Sequence, residues 1–265
     1  MALEVAVLLS VGRHPASLRG RAAAADARAV ELALRLGSRA LIRALHAGDP
    51  AEPALQDYLG MGLETITVLR QPAGCDVLPA LAAHLAFSRP QLILTGVAAE
   101  TGPGSGMLPY LLADALGAAL LANIAELAIT GAGIGALQAL PRGRRRSVSA
   151  ALPTLATVSL ASPAPRPWAF ARARRGRIEV IDPPPGPPVA GDVREQPARP
   201  KPRRLKLATA GSAADRLRAA TEIQAGRGRL LVDPAPEEAA GAIYDYLLEE
   251  GILSPATLVP PVGRG

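Results

Sequence analysis

PQLILTGVAAETGPGSGMLPYLLADALG, residues 90–117, carries the pattern from which the rest of the chain is read. Residues 91–95 form a short apolar run just after Pro90, which suits a buried strand. A loop rich in glycine follows, with Gly102, Gly104 and Gly106, and residues 106–116 then suit a helix. Glycines at a helix N-terminus let the backbone approach a phosphate closely. No Lys follows them, so the Walker pattern is absent, and the first strand candidate lacks the three spaced glycines of a dinucleotide turn. The loop alone is compatible with a phosphate site and with a plain strand-to-helix turn.

The same unit recurs upstream. Residues 4–9 (EVAVLL) read as a buried strand ending in Ser-Val-Gly, and residues 22–36 (AAAADARAVELALRL) read as a helix closed by Gly37. Residues 40–45 and 65–69 are further strands, and residues 52–59 form a short helix between them. Asp76 caps a helix over residues 77–87, which Pro90 stops. Two or more strands lie between residues 120 and 160. This alternation predicts an α/β protein with a doubly wound, mostly parallel sheet, Rossmann-like and suited to adenine nucleotides, with a C-terminal extended arm. Such sheets bind ligands beyond the carboxyl ends of their strands, where strand order reverses.

Residues 1–182 make up this domain. Residues 183–204 are proline-rich, poor in apolar side chains, and read as a linker. Residues 205–265 form the arm, with helices over 213–224 and 237–250 on either side of Leu230, Leu231 and Val232.

Composition narrows the chemistry. The net charge of +6 invites a nucleic-acid reading, but only Lys201 and Lys206 are lysine and aromatic stacking positions are scarce. Cys75 is the only cysteine, and His14, His46 and His84 stand in no ligand spacing, so neither an intrachain disulfide nor a metal site is expected. The apolar stretch 107–129 contains Pro109, Asp114, Asn123 and Glu126, which argues against a membrane span. The N-terminus lacks a leader pattern, and a cytoplasmic setting follows as the default. No nucleophile–base set emerges. His46 stands at a strand end, Asp26 and Glu31 read as a solvated helix start, and Arg142, Arg144, Arg145 and Arg146 read as a solvated hairpin turn.

Several segments, taken in order, resemble the beta subunit of electron transfer flavoprotein. ARAVELALRL at 27–36 is similar to the family's AVEEALRL helix, and YLGMGLETITVL at 58–69 to its ALAMGAD turn and strand. PQLILTG at 90–96 with LLADALG at 111–117 resembles its DLVLLG…AxxLG segment, and LPTLATVSL at 152–160 resembles LPAVVT. Pro165-Arg166 with RARRGRIEVIDP at 172–183 is similar to its EPR and KAKKKxIEVI segments. The resemblance implies a non-enzymatic half of a heterodimer. An alpha subunit holds most of the FAD, and the complex takes electrons from a flavoprotein dehydrogenase and passes them to the respiratory chain. It also implies an AMP, or a second FAD in bifurcating members, bound to the beta subunit. The acidic pair of the family's DGDT loop is replaced here by Gly102, Pro103, Gly104 and Ser105, which puts AMP in question.

The resemblance and the strand ends together make Leu8, Ser10, Ala47, Gly48, Gly96, Ser105 and Gly106 the candidate nucleotide contacts. The family's recognition loop falls at residues 167–171, which makes Trp168 and Phe170, with the adjoining Arg166, the candidate docking residues. Trp168 and Phe170 are the one Trp and one of the two Phe of the chain, set in a proline- and arginine-rich segment where burial looks difficult. The other reading is an adenine-nucleotide-binding regulatory module with no electron-transfer role, which would have no use for Trp168.

Overall fold

The computed structural model describes residues 2–131, 133–189, 212–214, 217, 230–249 and 252–253. The chain divides into two compact units, residues 1–195 and 196–265. The first unit contains β1 (Leu3–Leu9), β2 (Val11–Arg13), β3 (Gly20–Ala22), α1 (Ala24–Arg35), β4 (Ala40–Gly48), α2 (Leu55–Met61) and β5 (Thr65–Arg70). It continues with α3 (Leu78–Ser88), β6 (Leu92–Gly96), α4 (Leu108–Leu116), β7 (Ala119–Thr130), β8 (Gly133–Ala139), β9 (Arg145–Ala150), β10 (Thr154–Val158), α5 (Phe170–Arg175) and β11 (Arg177–Ile181).

One nine-stranded sheet has the order β11-β5-β4-β1-β6-β10-β7-β8-β9. Pairing is parallel from β11 through β7 and antiparallel for β8 and β9. The central strands are apolar on both faces because both faces are covered. Val5, Val7, Leu92, Leu94, Ala156 and Val158 join the core under α1 and α2. Their alternates Ala6, Leu8, Ile93 and Leu155 join the core under α3 and α4. The expected doubly wound α/β architecture is therefore observed.

Alanine at Ala29 and Ala33 lets α1 settle close to the sheet, and no atom of either is more than marginally exposed. Asp76 Oδ1 accepts the Leu78 N–H at 2.9 Å, as expected of a cap, and Arg89 ends α3 in the left-handed region at φ 48°. Three features depart from expectation. A two-stranded ribbon, β2 with β3, stands between β1 and α1. The Arg run is only partly a turn: Arg142 lies in a 3-10 turn, whereas Arg145 and Arg146 belong to β9. Asp26 and Glu31 are buried, not solvated.

The proline segment begins on this unit. Gln71 holds it from both sides, Nε2 donating to Pro184 O at 3.3 Å and Oε1 accepting from Gly186 N at 2.8 Å. Asp76 N donates to Pro187 O at 2.7 Å. In the second unit, α6 (Pro236–Glu249) is present as expected, with Glu237 and Glu238 in its first turn where they complement the helix dipole. None of its side chains is buried. Most of the helix expected over 213–224 lies outside the described residues. No helix among the described residues is long and apolar enough to cross a membrane.

Candidate functional site

Chain order fixes where a ligand crevice would lie. From β1 the chain winds through β4 to β5 on one side, then returns to place β6 on the other side of β1. Strand order reverses between β1 and β6, so the crevice is at their carboxyl ends. Ser10 and Gly96 meet there. Ala47 and Gly48 end the neighbouring β4, and Ser105 and Gly106 lie in the loop leaving β6. The structure thus brings the candidate contacts to one edge of the sheet. Leu8 is there by its backbone only, since its side chain lies in the core under α3.

The crevice is stitched by side chains outside the set of candidate nucleotide contacts. Asp26, 3% exposed, accepts from Ser10 N at 2.7 Å and Ser10 Oγ at 2.5 Å, and from Gly96 N at 2.7 Å. It thereby ties α1 to the ends of both β1 and β6. Burial pushes its carboxyl pKa above the ordinary 3.8, against the lowering effect of those hydrogen bonds. Tyr58 Oη donates to Ser10 O at 2.7 Å and accepts from Ala23 N at 2.9 Å. Burial, and after it the Asp26 charge, hold the phenol well above its ordinary pKa of 10.0.

Glu100, from the loop after β6, reaches across to α1. Its Oε1 accepts from Ala24 N at 2.7 Å, and its Oε2 pairs with Arg21 at 2.7 Å. Asp57 accepts from Ala22 N at 3.0 Å. His46 sits at the end of β4 with Nδ1 2.9 Å from Leu9 O. A carbonyl only accepts, so Nδ1 carries the proton, and burial holds the ring below its ordinary pKa of 6.5.

A phosphate-bearing nucleotide does not fit these residues. A Cβ at Gly96 would meet Asp26 Oδ1 at 2.5 Å, and one at Gly12 would meet Glu100 Oε2 at 2.6 Å. The space that glycine leaves for a ligand is filled by the chain's own carboxylates. Within the loop itself, Val97 O and Ala99 O lie 3.1 and 3.2 Å from the Cβ positions of Gly106 and Gly104, so its glycines are closed against its own backbone. Ser105 Oγ is taken up by the Met107 N–H at 3.2 Å.

A second cluster lies on the outer side of α1. Glu31, 5% exposed, accepts from Arg35 Nε at 2.8 Å, Arg166 Nε at 2.8 Å and Arg166 N at 3.2 Å. Arg28 donates to Ser162 O. The segment leading to Trp168 is therefore stapled to α1. Burial raises the Glu31 pKa, but the hydrogen bonds from Arg166 and Arg35 outweigh it and hold the carboxyl below its ordinary 4.5. A lowered folded-state pKa gives stability that is present above about pH 4.5 and lost as pH falls through the folded value. Glu31→Gln should cost about 2 kcal/mol at neutral pH. Its Tm should also fall less steeply than the wild type's on acidification below pH 4.5. Parallel Tm–pH curves would show that this pair is not acid-sensitive.

The staple delivers Trp168 onto α2. Its Nε1 donates to Gln56 O at 3.2 Å, and the ring lies so close to Gly60 that a Cβ there would be 2.0 Å from Cδ1. Ala169 N donates to Gly60 O at 3.0 Å. Gly176 repeats the close approach, with Leu59 2.8 Å from its Cβ position. Phe170 stands edge-on to the indole, ring centres 5.9 Å apart. Trp168 remains 48% exposed and Phe170 65% exposed. Arg166 is engaged by Glu31, so the surface this segment presents is aromatic.

The Electron transfer flavoprotein domain matches residues 15–185. The chain is also similar to the electron transfer flavoprotein subunit beta of Chromohalobacter salexigens, 46% identical over 266 residues, which covers 95% of this chain and 96% of that protein.

Proposed function

Because the chain belongs to the electron transfer flavoprotein family, as a beta-type subunit, we propose that it works as the non-enzymatic half of a cytoplasmic heterodimer. Its partner is an alpha subunit that holds the FAD. The heterodimer accepts electrons from a flavoprotein dehydrogenase and passes them to the respiratory chain. FAD supplies the redox chemistry when bound. This chain supplies a rigid frame, a docking surface and an arm for its partner.

The observation that carries the reading is the aromatic pair Trp168 and Phe170, exposed yet held in place. An indole pinned over Gly60 and bonded to Gln56 O loses little further rotamer freedom on docking. Large aromatics with arginine nearby, here Arg172, match the composition of interface hot spots. Ile243, Tyr244 and Tyr246 of α6 are exposed and give the arm an apolar surface for the alpha subunit. A nucleotide-regulated module finds less support where the amides of Ser10, Ala24 and Gly96, at the strand ends and the start of α1, already donate to the protein's own carboxylates.

Co-expression with an alpha subunit tests the proposal. A yellow 1:1 complex that a dehydrogenase reduces is the expected product. A colourless chain that stays monomeric beside every alpha subunit offered would end the reading.

A further inference from the structure

The sheet reverses strand order at a place where other doubly wound proteins hold a ligand, yet here the backbone amides at the strand ends and at the start of α1 are turned to the protein itself. The amides of Ser10, Ala22, Ala23, Ala24 and Gly96 all donate to protein oxygens. Three of these acceptors are carboxylates, those of Asp26, Asp57 and Glu100. The ribbon cation nearest the start of α1 is already matched, since Arg21 pairs with Glu100 and its other nitrogen donates to Ala22 O at 2.8 Å. Two cavities among the described residues lie to either side of this stitched point. One of about 220 Å³ is lined by Glu4, Arg43, His84 and Glu179, and one of about 350 Å³ by Arg13, Arg19, Glu52 and Pro53. Neither is lined by a residue of 96–106.

We propose that this subunit closes its own nucleotide crevice, with Glu100 holding the N-terminus of α1 in the manner of a phosphate, so that it folds and docks without a nucleotide of its own. Glu100 is suited to the task by reach as well as charge. It comes from the loop after β6 and bonds the first helical amide of α1 and the ribbon residue Arg21. One carboxylate thus joins three segments that would otherwise converge on a bound anion. A phosphate placed beside it would face Asp26 as well, and like charges a few ångströms apart repel by kcal/mol even where solvent screens them. Thr101 adds a third tie, its Oγ1 donating to Val11 O at 2.9 Å.

The proposal uses the heterodimer reading for its material, and the experiment separates the two. The purified heterodimer is denatured and its nucleotides are separated by chromatography. FAD content reports on the carrier role and AMP content on the closed crevice. About one FAD and less than about 0.1 AMP per heterodimer is the expected result. AMP approaching one per heterodimer overturns the proposal, whatever the FAD content. A second measurement uses the full chain alone. Its Tm should move by less than about 1 °C in millimolar AMP, whereas a ligand far above its Kd adds several degrees. Glu100→Ala should gain about 3 °C or more in inorganic phosphate relative to chloride at matched ionic strength, as phosphate takes the vacated position. Indifference of Glu100→Ala to phosphate, or a phosphate response of the wild type, refutes the role given to Glu100. Should Glu100→Ala fail to fold, Glu100→Gln keeps an acceptor for Ala24 N and drops the charge, and a smaller gain in phosphate is expected from it.

Discussion

Replacing Trp168 with alanine should slow reduction of the heterodimer by a flavoprotein dehydrogenase about 30-fold, which corresponds to roughly 2 kcal/mol of lost docking energy. The estimate rests on an exposed indole with one face already supported by the protein. Little ordering cost then offsets the area it buries against a partner. Phe170→Ala should lose less, about 5-fold, because its ring touches the indole by an edge and makes no hydrogen bond of its own. FAD content and Tm should stay near wild type in both. Gly60→Ala gives a sharper test. It leaves Trp168 in the sequence but puts a methyl where the ring lies, 2.0 Å from Cδ1, so the indole must leave its seat. If position matters, Gly60→Ala slows transfer as much as Trp168→Ala does. Stopped-flow rates unchanged in all three variants would mean that the dehydrogenase docks elsewhere.

The second large effect is on stability. Asp26→Ala strips the acceptor from two backbone amides and a hydroxyl at the carboxyl ends of β1 and β6. Each orphaned donor costs about 1–3 kcal/mol. Two effects work the other way. The buried carboxylate carries a desolvation penalty, recorded in its raised pKa, and water will reach some of the exposed donors. A net loss of about 3 kcal/mol is expected, or a Tm lower by roughly 6–12 °C for a unit of this size. Asp26→Asn keeps the shape and one acceptor oxygen but turns an NH2 toward an N–H donor, so it should fall between. Calorimetry showing Asp26→Ala within 2 °C of wild type would remove Asp26 as the stitch between α1 and the strand ends.

Much of the fold was legible because β1, β6 and α1 state their roles plainly in sequence. LILTG after a proline and before glycines has little choice but to be a buried strand. The ribbon of β2 and β3 was not legible. Its strands are three residues each and carry no apolar alternation, and their pairing is fixed by tertiary contacts. In α1 the cause was the alanine content. With alanine on nearly every side, helical periodicity does not say which face is inward, so Asp26 and Glu31 looked like solvent residues. Yet a faint sign was present: Asp26 stands three, four and seven residues before Ala29, Val30 and Ala33, all of them in the core. Glu100 was hidden for a different reason. A loop acid 76 residues from the helix it caps has no local pattern to betray it. Trp168 was legible as an oddity of composition, but its seat over Gly60 was not, because the absence of a side chain leaves no trace in periodicity.

The two borders of the nine-stranded sheet bear on how the protein behaves when crowded. One border is β9, which opens with exposed Arg145 and Arg146, the latter clamped to Gln138 of its neighbour at 2.6 and 3.0 Å. The other is β11, where Arg177 and Glu179 are exposed. A free strand invites another chain to extend the sheet, and fixed charges along it make that extension unfavourable. The charges fixed on β9 and β11 therefore oppose extension of the sheet by a second copy of the chain, with Val180 and Ile181 as the apolar part of the β11 border.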